Sequence, residues 1–138
     1  MRRSETLSAA IATSFDRAWD FLSRAENLHL WTVDFAVEQP RKEGDIYKVE
    51  TPRGTLDLFI KCQRETGVID FYFGREGRYG CSPSRLIVDD EGVVYIFTQF
   101  EPVGAAPGVL ERLVGNVKKE FEILKQLLTT PEPRQELL

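Results

Sequence analysis

The chain carries 138 residues, 42% of them hydrophobic and 29% charged, with a formal net charge of −4. That balance suits one globular domain around a single core and argues against a nucleic-acid backbone or an anionic membrane as partner. No apolar run approaches the ~20 residues of a membrane span. Two cysteines and one histidine make neither a disulfide framework nor a zinc site, so no metal and no cofactor are expected.

Met1-Arg2-Arg3 leads into Ser4-Glu5-Thr6 rather than an apolar run, so no signal peptide is read and the expected compartment is the cytoplasm. A first strand is predicted over residues 5–12, with Leu7, Ala9 and Ile11 on one face. Thr13-Ser14-Phe15-Asp16 has the form of a capping box with Thr13 as N-cap. A short helix follows to about residue 24, burying Phe15, Ala18, Trp19 and Leu22, and a second short helix is read over residues 26–31. Six strand candidates come next, over residues 33–39, 46–51, 55–63, 68–74, 82–89 and 93–101, separated by glycine- and proline-bearing turns. Connections this short demand antiparallel pairing. Residues 107–128 then read as one long helix, with Leu110, Leu113, Val114, Val117, Phe121, Leu124 and Leu128 in an apolar stripe. The tail from residue 129, with Pro131 and Pro133 among charged residues, reads as disordered.

Strand faces alternate, so register is testable on paper. A tight turn at residues 52–54 pairs Val49 with Leu58 and Tyr47 with Ile60, sharing a face with Leu56 and Cys62. The Thr66 turn adds Ile69, Phe71 and Phe73 to that face. A two-residue turn at Asp90-Glu91 puts Ser84, Leu86, Val88, Val93, Tyr95, Phe97 and Gln99 inward. Phe59 and Tyr72 become neighbours on the opposite face, where Val94, Ile96 and Phe100 also point. An apolar cluster on an outer face marks an interface, and a homodimer contact through these five residues is expected. The run Gly74-Arg75-Glu76-Gly77-Arg78-Tyr79-Gly80 lacks the strand-to-helix context of a phosphate loop and reads as a hairpin connection.

The segment Ala12-Thr-Ser-Phe-Asp-Arg-Ala-Trp-Asp-Phe-Leu-Ser-Arg-Ala-Glu-Asn-Leu-His-Leu-Trp31, followed by antiparallel strands and a terminal long helix, resembles the START-like (SRPBCC, helix-grip) superfamily. Among its members the chain looks most similar to polyketide cyclase/dehydrase-like proteins. The proline usual at the first helix start is replaced by Phe15. The resemblance covers about residues 5–128 as a single domain. It implies an α+β helix-grip fold: a seven-stranded curved antiparallel sheet, two short N-terminal helices and one long C-terminal helix. It also implies a hydrophobic cavity between sheet and helix that binds a lipid, hormone, polyketide or other aromatic metabolite.

On that reading the ligand-binding wall comprises Trp31, Tyr47, Leu58, Ile60, Phe71, Phe73, Tyr95, Phe97, Gln99, Leu113, Val117 and Phe121. Tyr47, Tyr95 and Gln99 carry polar tips that need a partner inside an apolar cavity, either a ligand oxygen or one another, backbone or water. If the protein is an enzyme, the activity is a cofactor-independent cyclase/dehydratase-like one, with Tyr95, Gln99 and His29 as the catalytic candidates. Asn116 and Glu120, one turn apart on the edge of the helix stripe, are within reach of the cavity rim, but such pairs at helix edges read first as solvated residues. A carrier or sensor needs only the cavity. The competing class is a co-chaperone-activator-like interaction module that uses the outer sheet face and has a filled interior.

Overall fold

A computed structural model describes residues 1–131. Eight antiparallel strands form one sheet: β1 (Ser4–Ile11), β2 (Arg41–Glu43), β3 (Ile46–Thr51), β4 (Gly54–Gln63), β5 (Val68–Arg75), β6 (Arg78–Ser82), β7 (Ser84–Asp89) and β8 (Gly92–Phe100). Their order is β1-β8-β7-β5-β4-β3-β2, with β6 paired to β5 off that path. Helix α1 (Phe15–Leu22), a 3-10 turn (Ala25–Asn27) and the single turn α2 (Leu28–Trp31) follow β1, and the long helix α3 (Val109–Thr129) closes the chain. This is the expected α+β helix-grip architecture. Thr129, read as the start of the tail, is the last residue of α3, and residues 132–138 of that tail lie outside the described residues.

Two elements differ from the sequence reading. Residues 33–39 form no strand. Thr32 Oγ donates to the Leu28 carbonyl and accepts from the Ala36 amide, and Asp34 adopts a positive φ of 58°, so side-chain hydrogen bonding folds this stretch into a loop. The sheet edge is supplied instead by β2, three exposed charged residues of the kind that blunt an edge strand. The glycine-rich connection also contains a strand. Glu76 and Gly77 both take positive φ, the requirement of a two-residue type I′ hairpin, and the turn returns the chain as β6 along β5. Pro83 then interrupts the run: it has no amide to donate, and β6 and β7 flank it as separate strands.

The first helix begins one residue later than the capping box implied. Ser14 is the N-cap, with its Oγ accepting from the Arg17 amide at 3.1 Å. Ala18, Trp19 and Leu22 are buried, while Phe15 is half-buried and stacked on Trp19 at 5.8 Å.

Register agrees with expectation between β4 and β5, where Leu58 faces Phe73, Ile60 faces Phe71 and Phe59 faces Tyr72. It agrees also between β7 and β8, where Leu86 faces Tyr95 and Ser84 faces Phe97. Val88 faces Val93 as expected but lies beyond the core edge at 63% exposed. Between β3 and β4 the pairing is shifted by two: Tyr47 faces Leu58 and Val49 faces Leu56. The loop is only Pro52-Arg53, with Thr51 paired to Gly54 at φ 111°. A shift of two keeps every side chain on its face, so the buried set is unchanged.

The core is pinned by Tyr95, which has no exposed surface. Its hydroxyl donates to Ser84 Oγ at 2.9 Å, and Ser84 Oγ donates to the Ile69 carbonyl. One polar chain thus ties β8, β7 and β5 together with every donor used. On the outer face, Phe59, Tyr72, Val94 and Ile96 are half-buried, whereas Phe100, expected there, is half-buried at the end of β8 and lines the cavity between sheet and helix. Phe59 stacks on Tyr72 at 4.9 Å and meets the edge of Tyr79 at 5.3 Å, with the Lys61 ammonium 5.2 Å from the Tyr72 ring.

The turn between β4 and β5 depends on Gly67. It holds φ 75°, and a Cβ placed there would sit 2.0 Å from the Leu86 carbonyl oxygen. Its own carbonyl accepts from the Leu86 amide at 2.8 Å. Gly67→Ala is expected to destabilise the fold by roughly 2–4 kcal/mol, combining backbone strain with a clash that backbone must absorb. Urea denaturation checks this, and a loss below about 1 kcal/mol would show that the turn tolerates a side chain.

Candidate functional site

Helix α3 presents two rows of side chains. Leu110, Val114, Val117, Phe121, Leu124 and Leu128 are buried, at the spacing of a single helix face. Beside them run Val109, Leu113, Asn116 and Glu120, and these four line a cavity of about 1060 Å³. Its sheet wall comes from Leu56, Leu58, Phe71, Phe73 and Phe97, and Leu28, Trp31 and Phe35 close one side. Trp31 is held edge-on to Tyr95 at 6.4 Å, and Phe35 edge-on to Phe73 at 5.9 Å. The volume stands at or just above the roughly 300–1,000 Å³ of small-molecule pockets.

The break at Pro83 shapes the opening. β6 pairs with β5 but not with β8, and the cavity wall includes Arg78 to Ser82 of β6 as well as Phe97, Gln99 and Phe100 of β8. The exposed part of the wall comprises Arg78 to Gly80 of β6 together with Arg2, Asp34, Arg53, Pro102, Val103 and Arg112. Asp34 Oδ2 accepts from Arg53 at 3.1 Å and from Arg112 at 3.0 Å, so one carboxylate joins the β3–β4 turn, the loop after α2 and the first turn of α3.

Eight residues expected in the wall lie in it: Trp31, Leu58, Phe71, Phe73, Phe97, Gln99, Leu113 and Val117. Four do not. Tyr47 donates its hydroxyl to Glu26 Oε2 at 2.8 Å, and burial with that carboxylate raises its pKa. Ile60 and Phe121 pack in or against the core. Tyr95 is fully buried with its hydroxyl spent on Ser84, and burial drives its pKa upward. Gln99 reaches the wall but donates Nε2 to the Phe100 carbonyl at 2.9 Å. His29 is half-buried, its Nδ1 is buried without a partner among the described residues, and it forms no part of the wall. Of the three catalytic candidates, only Gln99 touches the cavity.

Asn116 and Glu120, read first as solvated, both line the cavity; Asn116 is half-buried, and Glu120 is the buried one. Glu120 is 9% exposed. Oε2 accepts from the Val33 amide at 2.8 Å, and no cation pairs with it among the described residues. Burial pushes its pKa up to about 7, with the Val33 amide offsetting part of that rise. The visible signal was spacing. Glu120 follows Leu113 by seven residues and Val117 by three, which places a carboxylate on the apolar face rather than at its edge.

A carboxyl whose folded pKa lies above its unfolded value near 4.3 stabilises the fold in its protonated form. Its contribution is complete below about pH 4.5 and is lost as pH rises through about 7. The shift corresponds to at most about 3 kcal/mol. Glu120→Gln keeps an acceptor for the Val33 amide and removes the charge. The variant is expected to match the parent at pH 4.5 and to exceed it by roughly 1–3 kcal/mol at pH 8. Urea denaturation at the two pH values measures this, and parallel pH profiles for parent and variant would contradict it.

No protein-family model matches the chain, and no curated protein matches its sequence. Solved structures do match its shape. The protein XoxI from Bacillus cereus superposes with a TM-score of 0.72 at 13% identity, over 95% of this chain and 99% of that one. A START superfamily protein from Mycobacterium smegmatis gives 0.63 at 8% identity, over 93% and 97%. The di-domain ARO/CYC protein BexL from the BE-7585A biosynthetic pathway gives 0.61 at 11% identity, over 96% of this chain and 51% of that one. At these identities the likeness speaks for architecture alone: with its antiparallel sheet and long C-terminal helix, the chain has the START-like helix-grip fold.

Proposed function

We propose that this protein binds a small hydrophobic or aromatic molecule in the cavity between its sheet and α3. The observation that carries the reading is an interior left open at about 1060 Å³ and walled by aromatic and aliphatic side chains. Close packing is the default of protein interiors, and a void of this size forfeits dispersion contacts along its whole lining. A ligand restores them. The START-like fold, shared with an ARO/CYC protein, supports the same reading.

A polyketide cyclase/dehydrase-like activity is the finer form of this proposal. Its proton-transfer group is Glu120, because a carboxyl poised near neutrality inside an apolar cavity suits general acid–base work. Tyr95 and His29 lie outside the wall and take no part in it. The interaction-module alternative requires a filled interior, and the open cavity favours binding over it. The outer-face aromatics stack on one another within a single chain, which lends a homodimer contact no specific support. No helix among the described residues is long and apolar enough to cross a membrane.

The neutral fluorophore N-phenyl-1-naphthylamine, which brightens in apolar surroundings, tests the cavity. It is expected to bind the parent protein with micromolar affinity. Leu113→Trp places a bulky ring at a half-buried wall position and is expected to weaken binding at least tenfold, with far-UV circular dichroism preserved. No binding to the parent, or equal binding to the folded variant, would count against the proposal.

A further inference from the structure

The rim of the cavity is more basic than the chain that carries it. The molecule has a net charge of −4, yet four arginines line the cavity: Arg2, Arg53, Arg78 and Arg112. Asp34 is the acidic residue at that rim, and it already serves both Arg53 and Arg112. Arg2 lies over the Phe100 ring at 5.1 Å. Neither Arg2 nor Arg78 has a carboxylate partner among the described residues. Arg75, only three residues before Arg78, shows the contrast: its guanidinium donates to the carbonyls of Thr55 and Arg53. Arg78 projects from β6, the strand whose separation from β8 opens the wall, and Arg2 lies beside the end of β8. Unpaired guanidiniums beside a low-dielectric opening focus a positive potential there, and a guanidinium fork matches a carboxylate.

The buried part of the lining has the reverse chemistry. Glu120 is buried among apolar groups and paired with no cation among the described residues. A second carboxylate beside it would meet like-charge repulsion in a poorly solvated site.

We propose that the cavity takes an apolar carboxylic acid, with its hydrocarbon or aromatic body against the wall and its carboxylate outward between Arg2 and Arg78. This rests on the cavity reading above and adds the charge and the direction of the ligand.

The test competes two molecules of equal chain length, dodecanoate and 1-dodecanol, against N-phenyl-1-naphthylamine at pH 8. The alcohol is the more hydrophobic of the pair, so burial alone favours it. Dodecanoate is expected to displace the fluorophore at a concentration about tenfold lower than the alcohol, the size of a charge-assisted contact. In the double variant Arg2→Ala/Arg78→Ala the ratio of the two competing concentrations is expected to fall to about one, each read against that variant's own affinity for the fluorophore. Arg78→Lys on the Arg2→Ala background is expected to restore part of the preference. If the fluorophore binds but acid and alcohol compete equally, the inference is overturned and the cavity reading stands. A preference that survives in the double variant overturns the assignment to these arginines. Failure of the fluorophore itself to bind removes the cavity reading and this inference together.

Discussion

The seating of α3 sets the geometry of the rest of the molecule. Its buried row, Leu110 through Leu128, packs into the core, and Phe121 closes onto the edge of the Tyr95 ring at 5.9 Å. Tyr95 in turn is fixed by Ser84 and, through it, by the Ile69 carbonyl. That side of the helix is therefore satisfied in both packing and hydrogen bonding. The neighbouring row, Val109, Leu113, Asn116 and Glu120, faces space. A helix whose apolar residues met the sheet over their full width would leave no interior volume. Here the helix rests on one shoulder of the curved sheet, and the other shoulder stays open.

The loop after α2 spans that opening and is tied down by carboxylates. Glu120 accepts the Val33 amide, and one residue on Asp34 binds Arg112 of α3 and Arg53 of the β3–β4 turn. The first contact is part-buried and the second exposed, so they differ in worth. Exposed ion pairs contribute about 0–1 kcal/mol, whereas a buried amide left without its acceptor costs about 1–3 kcal/mol. The Glu120–Val33 contact is thus the stronger fastening of the loop. It is also the one whose acceptor changes charge near neutrality.

Much of the fold was legible in the sequence because it rests on alternation and spacing. The face shared by Leu58, Ile60, Phe71 and Phe73 followed from counting residues between turns, and a shift of two at Pro52-Arg53 left it intact. What escaped was set by local hydrogen bonding and by context. The Thr32 hydroxyl and the positive φ of Asp34 folded a strand-like stretch into a loop. Pro83 split one expected strand, and its first half began in what read as a connection. The site was legible on its apolar side and largely hidden on its polar side. Aromatic side chains at alternating positions must go inward somewhere, but whether a tyrosine hydroxyl meets a ligand or a serine depends on a neighbour brought in from another strand. Tyr95 met Ser84. Glu120 went the other way: its charge suggested solvent, and the curvature of the sheet beneath it decided otherwise.

The exposed part of the wall has a kinetic consequence. Because exposed residues of β6, the segment after β8 and the first turn of α3 line the cavity, a molecule can reach the interior by displacing side chains such as Arg78 and Val103. Exposed side chains reorient in picoseconds to nanoseconds, whereas lifting a packed helix is a local unfolding event on microseconds or longer. On the proposed binding function, exchange through this opening requires no loosening of the core, so thermal stability and loading speed become separately adjustable properties of the same chain.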